Sequence, residues 1–544
     1  MAVDGWSFHS ISKSEGTRLG LLSRKFSDLP KTPQTIKNLV MKFADDLIQE
    51  DKKRLAELVK KNIRFALTFD EWTSLRNRRY LNLVLHYEDS KIINLGLFRV
   101  IGNATSVNVL LLVQSALGEF GLDLYKHIVC IMTDGCPTMT KLGELASPVI
   151  QQLYYAHAIQ LSVLDTLYVK KTQKQPKEVD TDSSDSANEE DDSGDEDENL
   201  KVRTCAEFSY KYREDLLTMV QAVRPVVKHF INSPLANEKL QSYVKKFHEH
   251  ELGLLLDCKT RWSSLFKMLE RFSTLHLCVE KTLNDEGKKD LIKAIDIKFF
   301  DEVVDALRPV EWLTRKLCQR DATLVTADAS FSIVLKKLTC LNTLVSEQIY
   351  QSLLVRLQER RTILSDTLFY LQSAKMRRDP DSLIEMASRS TITNTFRDII
   401  VRLKNEVRNE QVTQQPITDE LLDFFNEDDA LQEPPTKTMS LEEEMDSELK
   451  REMKSFEPSN QGLSPLLQTI KKEMELFESG GSRGCNLQFV YEVLLNIKPT
   501  SVKSERVFST SGNFCSKLRS RLGDDSLSKI CYLKSYFLTN KPKN

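Results

Sequence analysis

Residues 64–100, RFALTFDEWTSLRNRRYLNLVLHYEDSKIINLGLFRV, decide the fold. Phe65, Leu67 and Phe69 alternate with Ala66, Thr68 and Asp70, the period of two that belongs to a strand, so Asp70 falls on the face opposite the phenylalanines. Leu81, Leu83 and Leu85 alternate in the same way, and KIINLGLFRV supplies a third strand. The connections are short, which favours an antiparallel meander.

Working outward, SVNVLLLVQSALGEFG (106–121) places Val109, Val113, Ala116, Leu117 and Phe120 on one helical side and closes on Gly121. HIVCIMTDG (127–135) follows, with an unbroken apolar run from Ile128 to Met132 that suits a parallel strand buried on both faces. The order is βββαβ, and a crossover through the helix can set this strand beside the first, with Asp70 and Asp134 both at carboxyl ends about 4.8 Å apart. Upstream, residues 33–62 read as a helix, with Ile36, Val40, Phe43, Leu47, Leu55, Leu58 and Val59 at helical spacing. Downstream of Asp134 the pattern reads as helical to about Tyr168, and again almost throughout 203–410. Two polar stretches interrupt it. Residues 177–198 hold twelve acids against Lys177 alone and no aromatic, a composition that cannot bury apolar surface and reads as a disordered loop. A second acidic, proline-containing stretch spans about 412–460, before a compact helical end.

The composition of the 544 residues excludes several classes. With 18 Gly and 16 Pro the chain is neither collagen-like nor wholly disordered, and its ten scattered cysteines contain no Cys-x-x-Cys. No apolar run approaches the roughly 18 residues of a membrane span, so a soluble intracellular protein without membrane partners is expected. His248, His250 and Cys258 lack a fourth neighbouring ligand and read as part of an ordinary surface helix, so no structural zinc is expected. Net charge is −2, but the acidic run alone contributes −11, which leaves the rest of the chain at +9 and open to a polyanionic partner. Two strand-end aspartates and a glutamate far downstream suit phosphoryl transfer assisted by divalent cations, although aspartates at strand ends are also common turn and cap residues.

Five blocks narrow the reading. TFDEWTSLRNRRYLNLVLHY (68–87), IMTDGCPTMTKLG (131–143), YYAHAIQLSVLDTLY (154–168), LLDCKTRWSSLFKMLERF (255–272) and IKPTSVKSERVFSTSGNFCSKLRSRL (497–522) together resemble the hAT superfamily of DNA transposases, in family order over residues 63–538. The last resembles the carboxy-terminal dimerisation region. The resemblance implies an α/β fold: an RNase H-like mixed sheet (βββαβ) interrupted by a long all-α insertion, with C-terminal helices completing the catalytic core. The implied divisions are an N-terminal helical region 1–62, the first part of the core 63–168, the acidic loop 169–202, the helical insertion 203–410, an acidic linker and helix 411–484, and the dimerisation region 485–544.

Carried over by position, the resemblance makes Asp70, Asp134 and Glu505 a metal-binding catalytic triad for Mg²⁺ or Mn²⁺, with Glu505 on a helix from about Ser501 to Gly512. It makes Trp262 a stacking platform for a base turned out of the duplex, against the plain alternative of a core tryptophan. Arg76, Arg78 and Arg79, and Lys517, Arg519 and Arg521, are two basic clusters suited to phosphates, or else solvated faces. His157 matches the histidine of the family's CxxH, with Tyr154 in place of the cysteine, and is a supporting residue or a core histidine. TDGCPTM departs from the commoner TDNASNM at Gly135, Pro137 and Thr138. Leu527, Ile530, Cys531, Phe537 and Leu538 share one side of the last helix, which fits core packing or a subunit contact. No cysteine precedes Cys130, so the family's amino-terminal BED zinc finger is not expected here. The expectations are therefore a nuclear, DNA-binding, self-associating transposase-like protein, or a domesticated non-catalytic interaction or chromatin factor. A third reading is a helical scaffold whose acidic loop recruits basic partners.

Overall fold

The computed structural model describes residues 7–14, 30–74, 77–88, 91–170, 210–257, 262–319, 321–372, 384–404, 465–500 and 523–539. The described chain forms two compact units, residues 1–387 with 491–544, and residues 388–490. In the smaller unit, Ile392, Phe396 and Ile399 of the helix Arg389–Lys404 are buried, as are Ile470 and Met474 of Pro465–Glu478. Thr393 Oγ1 meets Met474 Sδ at 3.3 Å.

The larger unit is built on a five-stranded sheet in the order β3-β2-β1-β4-β5. Its strands are β1 (Phe65–Thr73), β2 (Arg79–Tyr87), β3 (Lys91–Val100), β4 (Ile128–Thr133) and β5 (Ile150–Leu153). β1 and β2, and β2 and β3, pair antiparallel; β1 and β4, and β4 and β5, pair parallel. This is the RNase H-like mixed sheet, with the expected meander and crossover strand. The fifth strand is a correction: residues 137–167 are not one helical stretch but a helix, Pro137–Leu145, then β5, then a helix, Tyr155–Leu167. β5 is only Ile150-Gln-Gln-Leu153, too short and too polar to show a period of two; it exists because β4 offers it a parallel edge.

The pleat sorts the sheet into two faces. Phe65, Leu67, Phe69, Leu81, Leu83 and Leu85 pack against Val109, Val113, Ala116 and Leu117 of the helix Ser106–Glu119, and against Leu55. The opposite face carries Trp72, Tyr80 and Leu97, covered by Ala44 and Leu47 of the helix Pro33–Lys60 and by Leu527, Ile530, Cys531 and Leu533 of the final helix, Asp524–Thr539. Of the apolar stripe on that last helix, Leu527, Ile530 and Cys531 are therefore core, whereas Phe537 and Leu538 stay exposed. Polar contacts fix the helix at both sides. Asp524 accepts from Arg78 Nη1 (2.7 Å), Tyr80 OH (2.8 Å) and Arg99 Nη1 (2.6 Å). Tyr532 OH donates to Asp51 at 2.6 Å. Close approach depends on Gly96, at φ +113° beside a bulge in β3: an added Cβ there would stand 3.1 Å from Ser528 Oγ, which accepts the Leu97 N–H.

After the helix Tyr155–Leu167, β6 (Tyr168–Lys170) pairs antiparallel with β7 (Tyr210–Tyr212). Lys170 and Tyr210, on either side of the acidic run, are therefore paired, and residues 171–209 lie outside the described residues, as do 405–464. The insertion is helical as expected, from Glu214–Asn232 through Pro234–His248, Trp262–Asp285, Ile297–Leu317, Leu324–Leu341 and Leu344–Gln358 to Ile363–Gln372. It is joined to the sheet layer through buried groups: Tyr155 stacks edge-on against Phe331 and shares a 2.9 Å hydrogen bond with Ser365, and Asp165 receives Arg356.

Candidate active site

Asp70 lies within β1, and its Oδ1 accepts the Glu71 N–H at 2.9 Å. Asp134 directly follows β4, and its Oδ1 accepts the Cys136 N–H at 3.4 Å. The parallel pairing of these strands runs Ala66 with Cys130, Leu67 with Ile131 and Thr68 with Met132. Carried two residues further, the same register sets Asp134 against Asp70, and residues in register share a face of the sheet. Thr68 Oγ1 and Met132 Sδ, 4.0 Å apart, mark that common face one step below. The last recorded pair is Thr68 with Met132, and there a side chain takes over: Tyr154 OH reaches both Phe69 O (3.0 Å) and Met132 O (2.8 Å). The phenol therefore ties β1 to β4 immediately beneath the two aspartates. It occupies the position at which the family resemblance led to the expectation of a cysteine.

Asp70, Glu71, Asp134, Cys136 and His157 are half-buried. Burial pushes the Glu71 carboxyl above its usual value, with Arg79 opposing and Asp134 adding to the rise. Burial and the Asp134 charge push the Cys136 thiol up to about 12, so it is no thiolate nucleophile near neutrality. His157 stands in the first turn of the helix Tyr155–Leu167; burial pushes its imidazole below the usual 6.5, Asp134 pulls it up, and Arg360 and Arg356 push it down. It is neutral at pH 7.

Two residues belong to this neighbourhood that sequence reasoning missed. Arg360, at the turn between the helices Leu344–Gln358 and Ile363–Gln372, is 5 % exposed. Its Nη1 donates to Arg356 O and Glu359 Oε2, and its Nε has no partner among the described residues. Its Nη2 would lie 3.3 Å from a Cβ added to Gly135, so glycine after Asp134 makes room for the guanidinium. Gln152 Nε2 donates to Arg360 O at 2.8 Å, which anchors that turn of the insertion to β5. No motif marks it, because 226 positions of chain separate Arg360 from Asp134. The second is Asn82, the direct cross-strand neighbour of Asp70 in the β1–β2 pairing. It is fully buried, and neither its Oδ1 nor its Nδ2 has a partner among the described residues.

The remaining expected residues fall as follows. Trp262 opens the helix Trp262–Asp285 and is 5 % exposed, in a core position. Arg78 is engaged by Asp524, and Arg79 Nε stands 3.4 Å from Glu71 Oε1. Arg76, Glu505, Lys517, Arg519 and Arg521 lie outside the described residues. Asp70 and Asp134 fall on one face of the sheet when the register is extended, and among the described residues no group of three Asp, Glu, His or Cys side chains is placed to hold a metal ion. Two carboxylate oxygen donors still match Mg²⁺, a hard cation that retains several of its waters and is commonly held by one or two carboxylates plus substrate phosphates. Among the described residues no helix is long and apolar enough to cross a membrane.

Comparison with known families gives two matches. Residues 214–294 match the ZBED1 RNase-like helical domain, within the helical insertion. Residues 474–537 match the hAT family C-terminal dimerisation region. A comparison with curated proteins gave no match.

Proposed function

We propose that the chain, a hAT transposase-derived protein by its matches to the helical domain and the dimerisation region, self-associates, binds DNA and catalyses divalent-metal-dependent phosphoryl transfer on it. The observation that supports catalysis is the β1–β4 register, which, carried on two residues from Thr68 with Met132, puts Asp70 within β1 and Asp134 just past β4 on one face. In this reading both carboxylates hold Mg²⁺ or Mn²⁺, and Glu505 is the third ligand. A cation held by these carboxylates would supply the positive charge that activates an attacking oxygen and stabilises a leaving one. Tyr154 fixes the spacing of the two strands, and His157, neutral, lies close to Asp134 without adding a cationic competitor.

Chain connectivity favours the part given to Glu505. Lys498 N meets Met132 Sδ at 3.0 Å, Pro499 O accepts the Tyr155 N–H at 2.8 Å, and the described chain resumes at Gly523, next to Asp524 on Tyr80 and Arg99. Residues 498–499 and 524, the described neighbours of 501–522, therefore contact Met132, Tyr155, Tyr80 and Arg99. Glu505 is five residues beyond Thr500, a contour of about 17 Å. Arg76, Arg79, Lys517, Arg519 and Arg521 are the phosphate contacts in this reading, Trp262 a base contact, and the nucleus the compartment.

A second reading, a domesticated non-catalytic nuclear interaction factor, draws on the burial of Trp262 and on Arg78 being taken up by Asp524. Incubating purified full chain with supercoiled and terminal-repeat DNA in Mg²⁺ or Mn²⁺ separates the two. Nicking abolished by Asp70→Ala supports the catalytic reading. Absence of nicking with either ion, in protein that binds DNA and is dimeric by light scattering, overturns it in favour of the second.

A further inference from the structure

Asn82 sits in the middle of the sheet, with a neighbour on each side fixed by register: Asp70 on β1 and Leu97 on β3. Side chains directly opposite in an antiparallel pair lie on the same face, with Cβ atoms about 4.5–5.5 Å apart. Along β2 the next residues on that face are Tyr80 and Val84. Tyr80 gives its hydroxyl to Asp524, while Val84 and Leu97 have no polar side-chain atom. Of these four neighbours on the Asn82 face, Asp70 and Tyr80 carry polar side chains, and the Tyr80 hydroxyl is taken up by Asp524.

Burying an amide without partners costs stability, and a leucine of similar volume would fill the place without that cost. Thr68 Oγ1, also on this face, bonds His86 Nε2 at 2.8 Å, whereas Asn94, opposite Val84, accepts the Gly96 N–H on its Oδ1 and leaves its Nδ2 without a partner among the described residues. Asn82 is fully buried, and both its polar atoms lack a partner among the described residues.

We propose that Asn82 belongs to the cation site as an outer-sphere residue, its carboxamide serving the hydration shell of a divalent ion held by Asp70 and Asp134. The inference rests on the acid-pair reading above and deepens it. The ligand class is a hard, hydrated divalent cation. Mg²⁺ and Mn²⁺ keep coordinated waters that donate hydrogen bonds, and the amide oxygen accepts one; the amide nitrogen donates to a carboxylate or a water. An amide does this without adding a further negative charge to the acidic ligands. Groups of this kind set metal affinity by about 10–100-fold although they touch no metal.

The test uses the full chain with Mn²⁺ as the probe, affinity read by electron paramagnetic resonance and unfolding read by calorimetry without metal. Variants are Asn82→Leu, Asn82→Ala and Asp70→Asn. The expected result is Mn²⁺ binding by the unaltered chain, its loss in Asp70→Asn, and affinity about 10–100-fold weaker in Asn82→Leu, with a metal-free Tm equal to or above that of the unaltered chain. An unchanged affinity in Asn82→Leu overturns the inference and leaves the acid pair standing. So does a clear fall in its metal-free Tm, because the amide then serves the fold. If Asn82→Leu does not fold, Asn82→Ala is read in the same way. Mn²⁺ binding that is absent, or indifferent to Asp70→Asn, overturns the acid-pair reading itself and this inference with it.

Discussion

His157 illustrates how a buried group near two charges of opposite sign acquires a pH dependence. Its imidazole is pushed below 6.5 chiefly by burial, with Asp134 opposing and Arg360 and Arg356 reinforcing. The unfolded chain therefore binds a proton more readily than the folded one. The contribution of His157 is fully present above about pH 6.5 and is lost as pH falls through the folded value. Urea unfolding between pH 7.5 and 5 is expected to show declining stability across that window, and His157→Gln should flatten the decline. An identical slope in the variant would assign the decline to other groups. At the same scale, Asp70 and Asp134 were legible in the sequence because strand periodicity and an apolar run mark their positions. Asn82 was not, since a polar residue in an alternating strand reads as solvent-facing until a second layer is known to cover it. Arg360 was hidden for another reason: its significance comes from packing across more than two hundred residues of chain.

Elements with a strong period were equally legible: β1 to β4, the helix Ser106–Glu119 and the helical insertion stand where the pattern puts them. β5 was not, because four residues containing two glutamines carry no period, and only the exposed parallel edge of β4 makes a strand of them. Asp524 adds a polar anchor to the apolar packing of the final helix. Burial raises the Asp524 carboxyl, but the hydrogen bonds from Tyr80, Arg99 and Arg78 outweigh it and hold the group below the usual carboxylate range. The Arg78 and Arg99 side chains are 33 % and 40 % exposed, so solvent screens part of each interaction. Asp524→Ala is expected to cost about 1–2 kcal/mol by chemical denaturation, with faster hydrogen exchange over 524–539. A loss within error of zero would mean that apolar packing alone holds the helix.

At the scale of the molecule, charge is divided along the sequence, residues 177–198 carrying −11 and the rest of the chain +9. Lys170, ahead of the acidic run, pairs with Tyr210 after it. Replacing residues 171–209 by Asn-Gly, a good two-residue hairpin connection, is therefore expected to keep Tm within a few degrees. The same change removes a competing polyanion, so affinity for duplex DNA at fixed salt should rise, with a steeper dependence on salt. A fluorescence anisotropy titration at two ionic strengths measures both, and an unchanged affinity would show that the run does not screen the basic surface. Self-association, in turn, has an exposed apolar patch to draw on, because Phe43 and Phe537 stack with ring centroids 6.2 Å apart and remain partly open to solvent.

The packing of the final helix against the sheet also sets a timetable for synthesis. Leu97 and Tyr80 leave the ribosome early, yet the residue that shields them, Leu527, is translated 430 positions after Leu97. At about 5–20 residues per second the nascent sheet waits roughly 20–90 s with one apolar flank uncovered. A message cut short anywhere before codon 523 would leave it so permanently, which makes premature stop codons in this gene a source of aggregation-prone product rather than of a smaller working protein.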